Sequence, residues 1–268
     1  MKIKFLYITF NIVLIAALLL LFFTPKLILA EDLYAEIAVT NNICSIALLI
    51  VIAAVNCTFI INRKPLKCLE EQNWKGLAAY LHNKIYTQKR ISARSVQLLC
   101  DSLLLTGKAE EIISLGAFVK TEKPKAYQQN ILRFASAYIL LTKPAEARTI
   151  LEEAAPTLAK TDWCRWYHAF TFYLEKNFSA TTTELGNIIS EIKNPLVAAL
   201  SIFMILQLSE INKTEYQACA QAVADRKNKL LIDYSRKQFH EYAEDQKSQL
   251  YCAIISSLIK QAEDSIYG

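Results

Sequence analysis

Two long apolar runs open the chain, and a helical rhythm of apolar positions fills the rest. Residues 5–23 are apolar except for Thr9 and Asn11. Residues 43–61 form a second run, interrupted only by Ser45, Asn56 and Thr58. Each run is about 19 residues, and about 20 are needed to cross a hydrocarbon core of about 30 Å as a helix. The pattern predicts a transmembrane hairpin over residues 1–62, with a short loop at 24–42. A cleaved signal peptide is the rival reading of the first run, because Lys2 and Lys4 precede it and Ala30 could end a cleavage site. The run is longer than the usual h-region of about 7–15 residues, and Ile28 is a poor small residue at the −3 position.

Basic residues set the expected orientation. Lys2 and Lys4 precede the first run; Arg63, Lys64 and Lys67 follow the second. The connecting loop has Lys26 but also Glu31, Asp32 and Glu36. The bias puts both termini in the cytoplasm, the loop outside, and the chain in the cytoplasmic membrane. Asn11 and Asn56 lie at similar depths, roughly 8–9 Å from the cytoplasmic ends of their runs. A hydrogen bond between them across the hairpin would be worth about 0.6–2 kcal/mol. Alternatively, each amide meets water, lipid headgroups or another subunit.

From residue 63 onward, apolar residues recur at helical spacing with short polar breaks. Leu103-Leu104-Leu105-Thr106-Gly107-Lys108 has a counterpart in Ile139-Leu140-Leu141-Thr142-Lys143-Pro144. Glu71-Gln72-Asn73-Trp74-Lys75-Gly76 matches Glu175-Lys176-Asn177-Phe178-Ser179-Ala180. With another break near 210–214, the turns fall near residues 71, 106, 142, 175 and 210. Each reads as the end of one helix, a tight turn and the start of the next. Glycine (5) and proline (6) are too scarce for a turn-rich β fold, so the sequence predicts an all-α protein.

A period of about 35 residues and a helix-turn-helix unit resemble the tetratricopeptide repeat. In the unit at 126–156, Ile131, Phe134, Ala135 and Tyr138 stand at the first-helix positions of that family. Ala147, Leu151 and Ala154 stand at its second-helix positions. In the preceding unit, Val96, Leu99, Cys100, Leu103 and Ile112 are comparable, and Pro124 closes it. The first helices lack the family's Trp and Gly, and the unit around Trp163 fits only with a slip of one residue. The resemblance covers about residues 66–225. It implies a TPR-like α-solenoid over 63–225, with a concave surface that binds a protein partner. A non-repeating α-helical domain is the alternative. Residues 226–268 are predicted to be capping helices that close the stack.

Composition narrows the chemistry. The net charge is +5, and Arg226, Lys227, Lys229, Arg236 and Lys237 are interleaved with Asp225, Asp233, Glu241, Glu244 and Asp245. This reads as a solvated helix surface, so no nucleic-acid partner is expected. Seven cysteines without a CxxC pair read as small hydrophobes in a reducing compartment, not as a metal or redox site. No phosphate-binding loop, GxGxxG or HExxH occurs. His82, His168 and His240 lie far apart. Cys164 and His168 share a helix face, where packing is the expected role. Glu70-Glu71, Glu110-Glu111 and Glu152-Glu153 are neighbours that do not face each other on a helix. No catalytic residue, cofactor or metal is expected, and the chain reads as a non-enzyme.

One cluster stands apart. Trp163, Trp166, Tyr167, Phe170, Phe172 and Tyr173 crowd a single predicted helix. They are either repeat core or, through Trp163, Trp166, Phe170 and Tyr173, the anchors of a partner-binding groove. The leading expectation is a membrane-anchored scaffold whose cytoplasmic repeats recruit a protein. The alternatives are an assembly subunit of a larger membrane complex and an extracytoplasmic repeat domain in envelope assembly. No oligomeric state follows from these residues.

Overall fold

The structure is a computed structural model that describes residues 3–28, 31–246 and 249–268. The described residues are mostly helical, with no strand among them. The chain divides into two compact units, residues 1–80 and 81–268.

The first unit is built from α1 (Ile3–Ile28) and α2 (Glu31–Glu70), which pack against each other. Both are long and apolar enough to cross a membrane. The less exposed residues recur at steps of three and four: Tyr7, Asn11, Leu14, Leu18 and Leu21 on α1, and Asn41, Ser45, Leu48, Ile52, Asn56 and Phe59 on α2. That is the 3.5-residue seam of helices packed side by side. Around it the surface stays apolar, with Phe5, Ile12, Leu20, Ile50 and Ile60 exposed.

The loop expected at 24–42 is corrected here: α1 continues to Ile28 and α2 begins at Glu31. Hydropathy marks where a helix can meet lipid, whereas backbone hydrogen bonding decides where it ends. The helices therefore outlast the apolar runs. At its other end α2 runs past residue 61 and through Pro65. Proline has no N–H, so the carbonyl of Ile61 lacks its helical donor. The last turns of α2 meet α3 (Trp74–His82) at a tight turn.

The second unit begins with a π-helical turn, Asn83–Thr87, and then a series of hairpins: α4 (Ala93–Leu105) with α5 (Ala109–Glu122), α7 (Ile131–Leu140) with α8 (Pro144–Glu152), α10 (Asp162–Leu174) with α11 (Phe178–Ile188), and α12 (Pro195–Leu208) with α13 (Lys213–Asp233). Short helices α6 (Pro124–Gln129) and α9 (Pro156–Ala159) connect them, each with proline in its first turn. Second helices pack on the first helices that follow: α5 on α7, α8 on α10, α11 on α12. First helices also meet, α7 with α10 and α10 with α12. Gly116 of α5 lies so near α7 that an added Cβ would stand 3.0 Å from the Phe134 ring.

The turns repeat in atomic detail. Gln72, Gly107, Thr142 and Lys176 have positive φ of 51°, 72°, 60° and 61°. In each turn the next N–H donates back to a carbonyl five residues earlier: Asn73 to Cys68 at 2.8 Å, and Lys108 to Leu103, Lys143 to Tyr138 and Asn177 to Phe172 at 2.9 Å. This is the Schellman ending, which satisfies carbonyls that a helix end leaves free. Asn73 and Asn177 then cap the following helix, accepting from the N–H of Gly76 at 2.8 Å and of Ala180 at 3.3 Å. The turn near residue 210 differs: Asn212 N–H bonds to Leu208 at 2.9 Å, and no residue there is left-handed.

The C-terminal helices are α14 (Arg236–Gln246), α15 (Leu250–Ile254) and α16 (Ser256–Tyr267). Of the stretch 226–268, residues 226–233 belong to α13, and the helices that follow reach beyond the end of the series. α14 and α16 pack on α12, and α15 reaches back to α7. The cause is α12, whose residues 195–205 are all buried and which therefore needs cover on every side.

Two turn variants test the backbone argument. Gly107→Ala places a Cβ in a left-handed conformation and should destabilise the chain by about 1–2 kcal/mol. Thr142→Gly removes a β-branched residue from the same conformation and should raise the unfolding midpoint. Urea unfolding of the detergent-solubilised chain, followed by circular dichroism, measures both; equal midpoints for all three proteins would refute the account.

Candidate functional site

Within the first unit, four seam residues form one bonded cluster, while Asn41 Nδ2 and Ser45 Oγ, elsewhere on the seam, are buried with no hydrogen-bond partner among the described residues. The Asn56 Nδ2 donates to Asn11 Oδ1 at 2.7 Å and to the Ile52 carbonyl at 2.8 Å. Asn11 Nδ2 donates to the Tyr7 carbonyl at 2.9 Å, and the Tyr7 hydroxyl donates to Asn56 Oδ1. Tyr7 also stacks on Phe59, with ring centroids 3.7 Å apart. Each amide thus has partners, and the cluster fixes the register of α1 against α2. Sequence reasoning reached Asn11 and Asn56 but passed over Tyr7 and Phe59. The signal was there: all four fall on the 3.5-residue seam.

In the second unit the aromatic cluster is core. Trp163, Trp166 and Phe170 are buried, and Tyr173 is half-buried. Trp166 stacks on Phe170 with centroids at 4.8 Å, and Phe170 on Tyr173 at 6.0 Å. These four side chains form no open groove as they stand. The indole Nε1 of Trp166 is buried without a hydrogen-bond partner.

What covers Trp163, and the neighbouring Tyr167, comes from far along the chain. Tyr251 of α15 sets its ring 5.2 Å from Trp163 and 6.5 Å, edge-on, from Tyr167. The Tyr167 hydroxyl donates to the Tyr251 carbonyl. Arg133 of α7 lies under the same helix, donating to Gln249 Oε1 at 2.9 Å and standing 5.9 Å from the Tyr251 ring. Its other contact is Asp101 of α4, at 3.3 Å. Burial raises the Asp101 carboxyl, and the Arg133 guanidinium opposes that rise. Arg133, Gln249 and Tyr251 carry no sequence signal, because they meet across more than a hundred residues.

The remaining candidates are quieter. His168 stands between Glu152 at 3.6 Å and Glu184 at 3.9 Å, edge-on to Phe172. Cys164 is buried, and burial raises its thiol above the ordinary value, so it is not an activated nucleophile. Among the described residues no three His, Cys, Asp or Glu side chains converge as metal ligands do. Arg236 pairs with Asp264 at 2.8 Å and Lys237 with Glu241 at 3.9 Å, so that stretch of the surface is of mixed charge. A cavity of about 310 Å³ lies between α5, α7 and α8. Ile113, Phe134, Tyr138 and Ile150 wall it, and the Lys120–Glu153 pair, 2.7 Å apart, bridges its edge.

Comparison with known proteins places part of the chain. Residues 111–268 match a family described as "Uncharacterised Treponema protein". A Treponema pallidum (strain Nichols) protein, itself described as uncharacterized, is 30% identical over 161 residues. That alignment takes in 60% of this chain and 51% of the relative, so the chain spans about half the relative's length. No solved structure matches. The family match begins in α5 and includes Arg133, Trp163, Tyr167 and Tyr251; α1 and α2 lie outside it.

Two measurements follow. Asn56→Leu removes the amide shared by Asn11 and Tyr7, and should weaken α1–α2 association by about 0.6–2 kcal/mol. Thermal melting of the hairpin in detergent reads this, and an unchanged midpoint would count against the cluster. Burial also raises the Tyr167 hydroxyl, and it pushes the Cys252 thiol from 9.0 up to about 12. The folded chain thus holds these protons more tightly than the unfolded chain. Stability should fall above pH 9.0, by about 1.4 kcal/mol per pH unit as Cys252 ionises in the unfolded chain, and fall more steeply above pH 10.0, where the unfolded Tyr167 hydroxyl ionises too. Urea titrations up to about pH 10 check the sign, and a flat profile would contradict it.

Proposed function

The chain belongs to this family of Treponema proteins, and for this member we propose a membrane-anchored scaffold. In this reading α1 and α2 cross the cytoplasmic membrane, and Lys2, Lys4, Arg63, Lys64 and Lys67 hold both termini on the cytoplasmic side. The second unit is then a TPR-like α-solenoid that binds a protein partner and catalyses nothing. The observation that carries the reading is the recurrence of one left-handed turn at residues 72, 107, 142 and 176. Each second helix lies on the first helix that follows, as in stacked repeats, and stacked hairpins offer long surfaces for binding protein.

The runner-up is an assembly subunit whose hairpin makes the specific contacts. It would use polar side chains on α1 and α2; Asn11 and Asn56 already bond to each other, whereas Asn41 Nδ2 and Ser45 Oγ are buried with no hydrogen-bond partner among the described residues and are the groups it would use. An extracytoplasmic repeat domain is less consistent with seven cysteines that form no disulfide.

Photo-crosslinking in native membranes separates these readings. A benzophenone amino acid is placed at exposed Leu140 or Leu174, and separately at exposed Ile12 or Ile50. The scaffold reading expects protein adducts from the first pair and only lipid from the second. Protein adducts from the hairpin positions alone would overturn it in favour of the assembly subunit.

A further inference from the structure

The C-terminal segment is held in two different ways. α16 is bound by its aliphatic face: Ile259, Ala262 and Ile266 are buried with α12 in one apolar core. α15 is a single turn of five residues, too short to hold its own helical shape. Gln249 and Tyr251 fix its place on α7 and α10. Tyr251 lies among Trp163, Tyr167 and the Arg133 guanidinium, with the Tyr167 hydroxyl bonded to its carbonyl. Gln249 supplies a side-chain acceptor to Arg133 at 2.9 Å. An aromatic ring seated among aromatic side chains and an arginine is the composition of a binding hot spot. Here both sides of that contact belong to one chain.

The surface beneath α15 also has the features of a recognition face. Arg133 is 7% exposed and keeps a second partner in Asp101, so lifting α15 would free one edge of a guanidinium already held in place. Trp163 would gain an open ring face, and the Tyr167 hydroxyl would lose its carbonyl acceptor. Water can replace the lost hydrogen bonds but not the ring contacts, so the opened face favours another aromatic group.

We propose that α15 is a resident ligand of the face formed by α7 and α10, and that the external occupant of this face is a helical peptide segment presenting an aromatic ring with a side-chain acceptor two residues before it. The occupant displaces Gln249 and Tyr251 by offering the same chemistry to Arg133, Trp163 and Tyr167. α16 stays in place, so the exchange opens only the short turn. This inference rests on the partner-binding reading of the second unit.

Cys252 supplies a native reporter. It lies in α15, is fully buried, and its thiol is pushed up to about 12, so it is unreactive while α15 is seated. Cys100 of α4 is equally buried and reports global unfolding. The full chain in detergent is treated with a maleimide, and adducts at the two cysteines are timed by mass spectrometry. Tyr251→Ala should speed labelling of Cys252 at least tenfold relative to Cys100, and Gln249→Ala should do so to a smaller degree. A synthetic peptide of residues 249–257 carrying Cys252→Ser, at millimolar concentration, should speed labelling in the wild-type chain. The same peptide with Tyr251→Ala should not. The proposal is overturned if Cys252 keeps pace with Cys100 throughout, if the two peptides act alike, or if the variants open α15 but no peptide does. The crosslinks from Leu140 and Leu174 are scored independently, so the scaffold reading can stand while this inference falls.

Discussion

α12 is apolar around its whole circumference. From Pro195 to Ile205 every side chain is buried, and the one hydroxyl among them, Ser201, donates to the Val197 carbonyl at 2.8 Å. A helix with no polar face cannot end a stack of hairpins. α10 and α11 cover it on the side of the earlier hairpins; α13, α14 and α16 cover the rest. The placement of the last residues is thus imposed by one segment in the middle of the unit. Once α16 lies on α12, the short α15 has nowhere to go but over α7. The covered aromatic wall on α10 is a consequence of that constraint.

Between hairpins, charge adds register more than stability. Lys89 meets Glu122 at 2.8 Å, Lys120 meets Glu153 at 2.7 Å, Arg148 meets Glu175 at 2.5 Å and Arg165 meets Glu191 at 2.7 Å. Each pair joins residues 26 to 33 apart in sequence; Lys120–Glu153 and Arg148–Glu175 tie one hairpin to the next, while Lys89–Glu122 and Arg165–Glu191 tie a hairpin to the segment just before or after it. These pairs are at least partly exposed, so each contributes no more than about 1 kcal/mol. Their spacing favours one alignment of the hairpins over a slipped one. Several have an aromatic ring beside the cation, as Phe118 is to Lys89 and Phe172 to Arg148, which narrows the geometry further.

The features legible in the sequence were the local ones. The turns near 71, 106, 142 and 175 could be read because a helix ending is written in a few adjacent residues, and Asn73 and Asn177 announced the next helix start. The Asn11–Asn56 contact could be read because both amides break uncharged runs at equal depth. The ends of α1 and α2 could not, because the cue was hydropathy and hydropathy stops before the hydrogen bonding does. The fold-back of the C-terminal segment could not be read either. Its decisive contacts join Arg133 to Gln249 and Tyr167 to Tyr251, and no local pattern encodes such pairs. One clue did exist: residues 195–206 are an apolar run without helical alternation, which marks a helix buried on all sides.

α2 is a rod about 60 Å long, and Pro65 is its one interruption past the apolar run. The missing N–H and the ring of Pro65 lower the local bending stiffness at a single carbonyl, that of Ile61. Thermal flexing of the rod concentrates there instead of spreading along its length. The polar segment from Asn62 to Glu70 thus follows one weakened point in an otherwise continuous helix. Filling that gap with Pro65→Ala would turn a jointed rod into a stiff one without altering any side chain that packs the seam.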